Sequence, residues 1–303
     1  MKFVMSYSCG KDSTLALHDM MAQGHEPVAL ITMFNEEAGR SFFHGADLRM
    51  LQAYSDALKI PFLITPTTGE AYHLEMEKSL RKAAAMGAEA ACFGDIDIED
   101  HRTWCEERCR HAGLKSVFPL WQNDREENVR KVVGLGYQCL IKSINNTLLP
   151  RELLGKIMDE EIVEQMKGYG IDVCGENGEY HTLVVDGPIF HTPLPYQTGK
   201  VLDFGNYSVI EVDTEQQADA GRTRFARRND WLARSSRCGS DSRSRFLHAS
   251  NGFAVLWCAH SFYGLHSGTK AAMPLMHLPS SNSSIIKSAF PLFRSGNALK
   301  MVS

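Results

Sequence analysis

Ser8-Cys9-Gly10-Lys11-Asp12-Ser13 packs two hydroxyls, a glycine, a lysine and a carboxylate into six residues. A short apolar run, Phe3-Val4-Met5, precedes it, and an amphipathic stretch from Lys11 to Gln23 follows. A strand–turn–helix of this kind leaves free N–H groups at the helix start, and the helix dipole adds to them, so it binds anions. Gly10 permits close backbone approach to phosphate. Lys11 supplies a point charge, and Ser8 and Ser13 supply donors. A Walker A loop is excluded, because Met5 stands where its first glycine is needed and Asp12 where Ser or Thr must follow the lysine. There is no G-x-G-x-x-G either.

A second dense run is Gly175-Glu176-Asn177-Gly178-Glu179-Tyr180-His181-Thr182. Two carboxylates, an imidazole, an amide and two glycines are packed into eight residues, a composition that suits a site carried on backbone turns. Asp95, Asp97, Glu99 and Asp100 follow a predicted strand. They read either as first-turn acids favoured by a helix dipole or, for Asp95, as a metal or substrate contact. His44, His101 and Arg102 also follow predicted strands, where a lone histidine is more often structural than functional.

These residues need a scaffold, and the hydrophobic pattern supplies one. Apolar runs at 3–5, 27–33, 61–64, 90–93 and 116–118 alternate with helical stretches at 11–23, 47–58, 71–86, 102–111 and 125–135, and a further strand is expected at 138–143. Strands alternating with helices of this length predict a doubly wound α/β domain with a parallel sheet over 1–144. Such sheets bind ligands at the carboxyl ends of their strands. From 145 to 213 the pattern becomes a smaller mixed region, with a helix at 159–167 and strands at 182–185, 187–190 and 199–212, and it holds the second motif.

The formal net charge of −4 conceals a division. Residues 1–214 hold 20 basic and 32 acidic residues, whereas 215–303 hold 12 and 4. The acidic part argues against stable nucleic-acid binding. The Ser/Arg-rich stretch from 214 to 303 reads as a poorly ordered tail; a basic arm for RNA or phosphate and a stretch outside selection for a fold are the competing readings. The eight cysteines are scattered and form no CxxC pair, which argues against a zinc ribbon or a thioredoxin-like motif. The N-terminus lacks an apolar signal region, and no run of about 18 apolar residues occurs, so a cytoplasmic chain without a membrane span is expected.

The Ser8–Ser13 loop resembles the S-G-G-K-D-S loop of PP-loop ATP pyrophosphatases, which are adenine nucleotide alpha hydrolase-like folds, with Cys9 where that loop usually has glycine. Together with G-E-N-G-E-Y-H-T-L-V-V-D-G-P from Gly175, it resembles the diphthine–ammonia ligase (diphthamide synthase) family. Phe93-Gly94-Asp95-Ile96, Pro119-Leu120-Trp121, Leu154-Gly155 and Asp159-Glu160-Glu161 add to the likeness, which covers about 1–213 and not the tail. The resemblance implies adenylation of a diphthine carboxylate on a translation elongation factor, then amidation by ammonia with release of AMP and pyrophosphate. It implies ATP and Mg²⁺ held by Ser8, Cys9, Gly10, Lys11, Asp12 and Ser13, with Asp12 on the metal. Lys11, Asp12, Glu179 and His181 would do the chemistry, and Asp95, Glu176, Asn177, Gly178 and Thr182 would line the acceptor side. Other readings are a PP-loop ligase for a different carboxylate, a tRNA-modifying relative, or a nucleotide-binding module without turnover.

Overall fold

The computed structural model describes residues 1–42, 44–69 and 71–214; the expected tail lies outside them. The chain runs β1 (Lys2–Ser6), α1 (Lys11–Ala22), β2 (Glu26–Asn35), β3 (Arg40–Ser41), α2 (Leu48–Leu58), β4 (Phe62–Thr67), α3 (Tyr72–Ala85), β5 (Ala90–Cys92), α4 (Glu99–Ala112), β6 (Lys115–Val117), α5 (Arg125–Gly134) and β7 (Gln138–Asn145). It continues through α6 (Glu160–Gly168), β8 (Tyr180–Asp186), β9 (Tyr196–Phe204) and β10 (Tyr207–Thr214). Asp47, Asp124 and Asp159 sit at the N-caps of α2, α5 and α6, accepting from Met50 N at 2.8 Å, Glu127 N at 2.9 Å and Ile162 N at 2.8 Å. These short acids satisfy orphan N–H groups and set where each helix begins.

Five strands form a parallel sheet in the order β4-β2-β1-β5-β6, and β3 adds a short antiparallel hairpin to β2. The β1 side chains alternate between two cores. Phe3 and Met5 pack with Leu15 and Leu17 of α1, Leu51 and Tyr54 of α2 and Val132 of α5. Val4 faces the other way, toward Leu80 of α3 and Cys105 and Cys109 of α4. Helices therefore cover both faces, as a doubly wound fold requires. The strand order reverses at β1, between β2 and β5, and the loops after β1 and β5 flank the crevice where such sheets bind ligands.

The second sheet is antiparallel, in the order β8-β7-β10-β9. Its inner residues Ile141, Leu183 and Ile210 continue the core that β1 and α1 begin. Strand β7, which sequence grouped with the parallel sheet, pairs antiparallel with β8 and β10 instead. Its six consecutive buried residues explain the reading, since a run buried on both faces looks the same in either setting. The strand expected at 187–190 is a turn closed by Phe190 N donating to Gly187 O at 2.9 Å. The strand expected over 199–212 is a hairpin turning at Gly205-Asn206, with Phe204 opposite Tyr207, a glycine-led two-residue turn.

One helix links the two sheets. Tyr54 of α2 is fully buried, and its hydroxyl donates to Val184 O on β8 at 2.7 Å. Replacing it by Phe leaves a buried carbonyl short of a partner, which costs about 1–3 kcal/mol. Tyr54→Phe is therefore expected to lower the urea midpoint measurably; an unchanged midpoint would show that the link contributes nothing.

Candidate active site

The loop between β1 and α1 is built from its own side chains and then pinned from outside. Ser8 Oγ lies 3.0 Å from Ser13 Oγ and accepts from Gly10 N at 3.3 Å. Ser13 Oγ and Thr14 Oγ1 donate to Gly10 O at 3.1 and 2.9 Å. Gly10 is the N-cap of α1 and offers no capping side chain. Lys11 N is taken by Thr182 Oγ1 of β8 at 3.1 Å, and Asp12 and Ser13 are left with first-turn N–H groups that no helical carbonyl can reach. Those are the donors an anion would use.

Cys9 adopts φ +71, the left-handed region, at a cost of about 1–2 kcal/mol for a residue with a β-carbon. The loop holds it there because Val184 N donates to Cys9 O at 2.9 Å. Its side chain is fully buried, and burial pushes the thiol far above its usual range, so it packs as a neutral group. Its contribution to the loop is its backbone.

Lys11 is 5% exposed, and its Nζ donates to both Asp12 oxygens, at 3.0 and 2.7 Å. Burial works against its charge, but Asp12, then Cys174, Tyr180 and Glu176, outweigh it and hold the ammonium well above the usual lysine value. Its Nζ also lies 5.5 Å from the centre of the Tyr180 ring. Asp12 stands with Cys174 and Glu176, their ligand atoms all within 4.8 Å of one another. Two carboxylates suit a hard cation such as Mg²⁺; the Cys174 thiol, pushed far up by burial, is a poor partner for one.

The Gly175–Thr182 run spreads its residues. Gly175 and Gly178 take positive φ, 76° and 84°, and turn the chain twice. Glu176 is half-buried and aimed at Asp12; burial, followed by Asp12, raises its carboxyl to about 8. Asn177 is exposed. Glu179 is buried, and its carboxylate accepts from Asn177 N at 3.0 Å and Asn177 Nδ2 at 3.2 Å, so it shapes its own turn. His181 is half-buried, and burial, followed by Lys11, lowers it to about 4, which keeps it neutral. Gly94 packs against the first turn of α1 so closely that a β-carbon on it would lie 2.9 Å from Ser13 N. Asp95, next along, pairs with His101 at 3.3 Å and helps to raise Glu176.

Four contributors escaped the sequence motifs. Arg125 pairs with Asp97 at 2.7 Å and with Asp172, whose carboxylate in turn accepts from Cys174 N at 2.9 Å and Glu176 N at 3.3 Å. It thereby ties the loop after β5 to the loop carrying Glu176. Tyr54, Lys142 and His44 act through contacts across 45 to 138 residues of chain. Tyr54 lies among the buried residues of α2, and Lys142 lies inside the buried run of β7, so spacing alone marks neither as part of a site.

The raised Glu176 carboxyl has a consequence for stability. From about pH 4.5 to 8 the unfolded chain has lost a proton that the folded chain keeps, so this group lowers stability as pH rises through that window. Glu176→Gln should therefore gain on the wild type in urea midpoint at pH 8 and not at pH 5. An equal difference at both values would contradict the assignment.

Residues 1–116 match the family model of the diphthamide synthase N-terminal domain, and residues 124–214 match that of its C-terminal domain. A Schizosaccharomyces pombe protein named diphthine–ammonia ligase is 27% identical over 231 residues, covering 69% of this chain and 38% of that one. The human protein of the same name is 24% identical over 229 residues, covering 67% of this chain and 85% of that one. A solved Methanocaldococcus jannaschii structure, titled a predicted subunit of tRNA methyltransferase, gives a TM-score of 0.35 at 14% identity over 64% of this chain and 100% of that one, too slight a likeness to carry an argument. With both domains matched in order, and each of the two motifs inside one of them, the chain belongs to the diphthamide synthase family.

Proposed function

We propose that the chain is an AMP-forming amide ligase that uses ATP to convert the carboxylate of diphthine, a modified histidine on a translation elongation factor, into an amide with ammonia. The observation that carries this reading is the union of the two motifs. Lys11 N donates to Thr182 Oγ1 across 171 residues, and Lys11, Asp12, Cys174 and Glu176 meet in one cluster. An anion-binding loop and an acceptor-side loop so joined suit a reaction in which a carboxylate must reach a phosphate. The names carried by the relatives agree with it.

In the first step a carboxylate oxygen attacks the α-phosphorus, the bond to the β-phosphate oxygen breaks, and pyrophosphate leaves. The Asp12 and Ser13 N–H groups and the Lys11 ammonium hold the polyphosphate, the Ser8 and Ser13 hydroxyls brace the loop through their bonds to each other and to Gly10, and Cys9 and Gly10 give the loop its path. Preorganised donors of this kind stabilise charge as it shifts to the leaving group. Asp12 and Glu176 would hold Mg²⁺, which neutralises phosphate charge when bound. In the second step ammonia attacks the acyl carbon, the bond to AMP breaks, and nitrogen sheds a proton. His181, neutral at pH 7, accepts it. Glu179 serves by holding Asn177 and the turn, so that Glu176, Asn177, Gly178 and Thr182 face the acceptor, with Asp95 at its far side.

In this division of labour the parallel sheet carries the nucleotide, and the antiparallel sheet, with β7 in it, carries the acceptor loop. The acceptor is a translation factor, which places the enzyme in the cytoplasm and requires no stable contact with nucleic acid. Among the described residues no helix is long and apolar enough to cross a membrane.

Incubation with ATP, ammonium and a diphthine-bearing factor should yield AMP, pyrophosphate and amide in equal amounts. Lys11→Met should lower that rate by about a hundredfold or more. Formation of ADP and phosphate, or AMP with no amide on the factor, would contradict the reading.

A further inference from the structure

Several contacts converge on His44, a residue outside both motifs. Its Nδ1 lies 2.6 Å from Thr182 O. A carbonyl only accepts, so Nδ1 carries the proton and, in the neutral ring, Nε2 keeps its lone pair. The ring lies on Gly10, where a β-carbon would sit 2.5 Å from Cε1 and 3.0 Å from Nε2. The His181 ring stands edge-on at 5.3 Å. Among the described residues no hydrogen-bond partner faces His44 Nε2.

The turn carrying His44 is held firmly. Lys142 Nζ donates to His44 O, and Arg40 Nη1 donates to Gly45 O at 3.0 Å. Lys142 is the extra residue of a bulge in the β7/β8 ladder, because Ile141 pairs with Thr182 and Ser143 with His181. Bulges re-aim a side chain, often beside active sites. Here the bulge sends a lysine that is 7% exposed to the back of the His44 turn.

The charges around the ring are named groups. Burial, then His181, then Lys142 and Lys11 hold His44 well below the usual histidine value, opposed by the bond to Thr182. Lys142 itself is lowered to about 8 by burial and Arg40, with Asp47 and Asp213 acting the other way, and Asp12 acts on His181. Burial and the nearby Lys142 and Lys11 thus disfavour a charged ring, and the negative charge of a polyphosphate on the neighbouring loop would act against them.

We propose that His44 is a further residue of the polyphosphate site: Nε2 meets the phosphates over Gly10, takes one proton from solvent as they bind, and donates it in a hydrogen bond, with Lys142 as the positioning residue behind it. The proton returns to solvent, or leaves with pyrophosphate, when the site empties. This rests on the loop being an ATP site, as proposed above, but not on which carboxylate is amidated.

Calorimetric titration of the full chain with ATP, in buffers of different ionisation enthalpy at pH 6.5 and 8.0, tests it. His44→Asn keeps an N–H for Thr182 but has nothing to titrate, and the nucleotide's own protonation is common to both proteins. The wild type should take up close to one proton more per ATP than His44→Asn at pH 6.5. Its Kd should rise about tenfold by pH 8.0, while that of the variant changes by about twofold at most beyond the shift of the nucleotide itself. Equal proton uptake in the two proteins, or loss of the extra proton in His181→Asn instead, overturns the proposal. Should His44→Asn fail to fold, ring-nitrogen shifts of ¹⁵N-histidine wild type decide: a His44 ring that is neutral both with and without ATP at pH 6.5 overturns it. A wild type that binds no ATP removes both readings. ATP binding with the extra proton but without amide formation supports this one and removes the ligase.

Discussion

Strand β8 is held against the Ser8–Ser13 loop by two hydrogen bonds and to α2 by a third, and the candidate site depends on them. Val184 N donates to Cys9 O at 2.9 Å, Lys11 N donates to Thr182 Oγ1 at 3.1 Å, and Tyr54 caps the arrangement through Val184 O at 2.7 Å. A left-handed Cys9 costs about 1–2 kcal/mol that a glycine would not. The strand from the second sheet supplies what the missing glycine would have made easy, since a strained residue persists when its surroundings over-determine it. The same strand then delivers Thr182 and His181 to the loop, so the stability of the loop and the composition of the site follow from one docking event.

Charge is arranged around that junction in layers. Lys11 and Asp12 neutralise each other at the helix start, Glu176 waits with its carboxyl raised, and the imidazoles of His181 and His44 stay neutral beside Lys142. Outside this, Arg125 joins Asp97 to Asp172 and fixes the loop that carries Glu176. Perturbed groups gathered in one crevice mark it as a candidate site of chemistry. The reversal of strand order at β1 explains why the crevice lies there.

Much of this was legible in the sequence because it is local. The alternation of apolar runs and amphipathic stretches predicted the parallel sheet and its helices, and it placed a strand–turn–helix around Ser8–Ser13, where β1 ends and α1 begins. The union of that loop with Gly175–Thr182 came from a family resemblance, not from periodicity. What stayed hidden depends on long-range pairing. Strand β7 is buried on both faces, so its apolar run does not say which sheet it joins. Glu176 and Glu179 stand three residues apart in a double turn, and only the fold shows that one faces Asp12 while the other is spent on Asn177. Lys142 reads as an interruption of a strand until the bulge reveals where it points. His44 reads as a lone histidine until Gly10 is found beneath it.

The central claim is that the loop and the distant strand form one catalytic unit, and Thr182→Val tests it most directly. The change keeps the shape of the side chain but leaves Lys11 N without its acceptor, a loss of about 1–3 kcal/mol at a buried donor. Single-turnover AMP formation from ATP and a diphthine-bearing factor is the measurement, read beside the thermal melting midpoint of the same protein. The account predicts AMP formation slowed by about tenfold or more in a protein that still folds. A folded variant that forms AMP at the wild-type rate would contradict it.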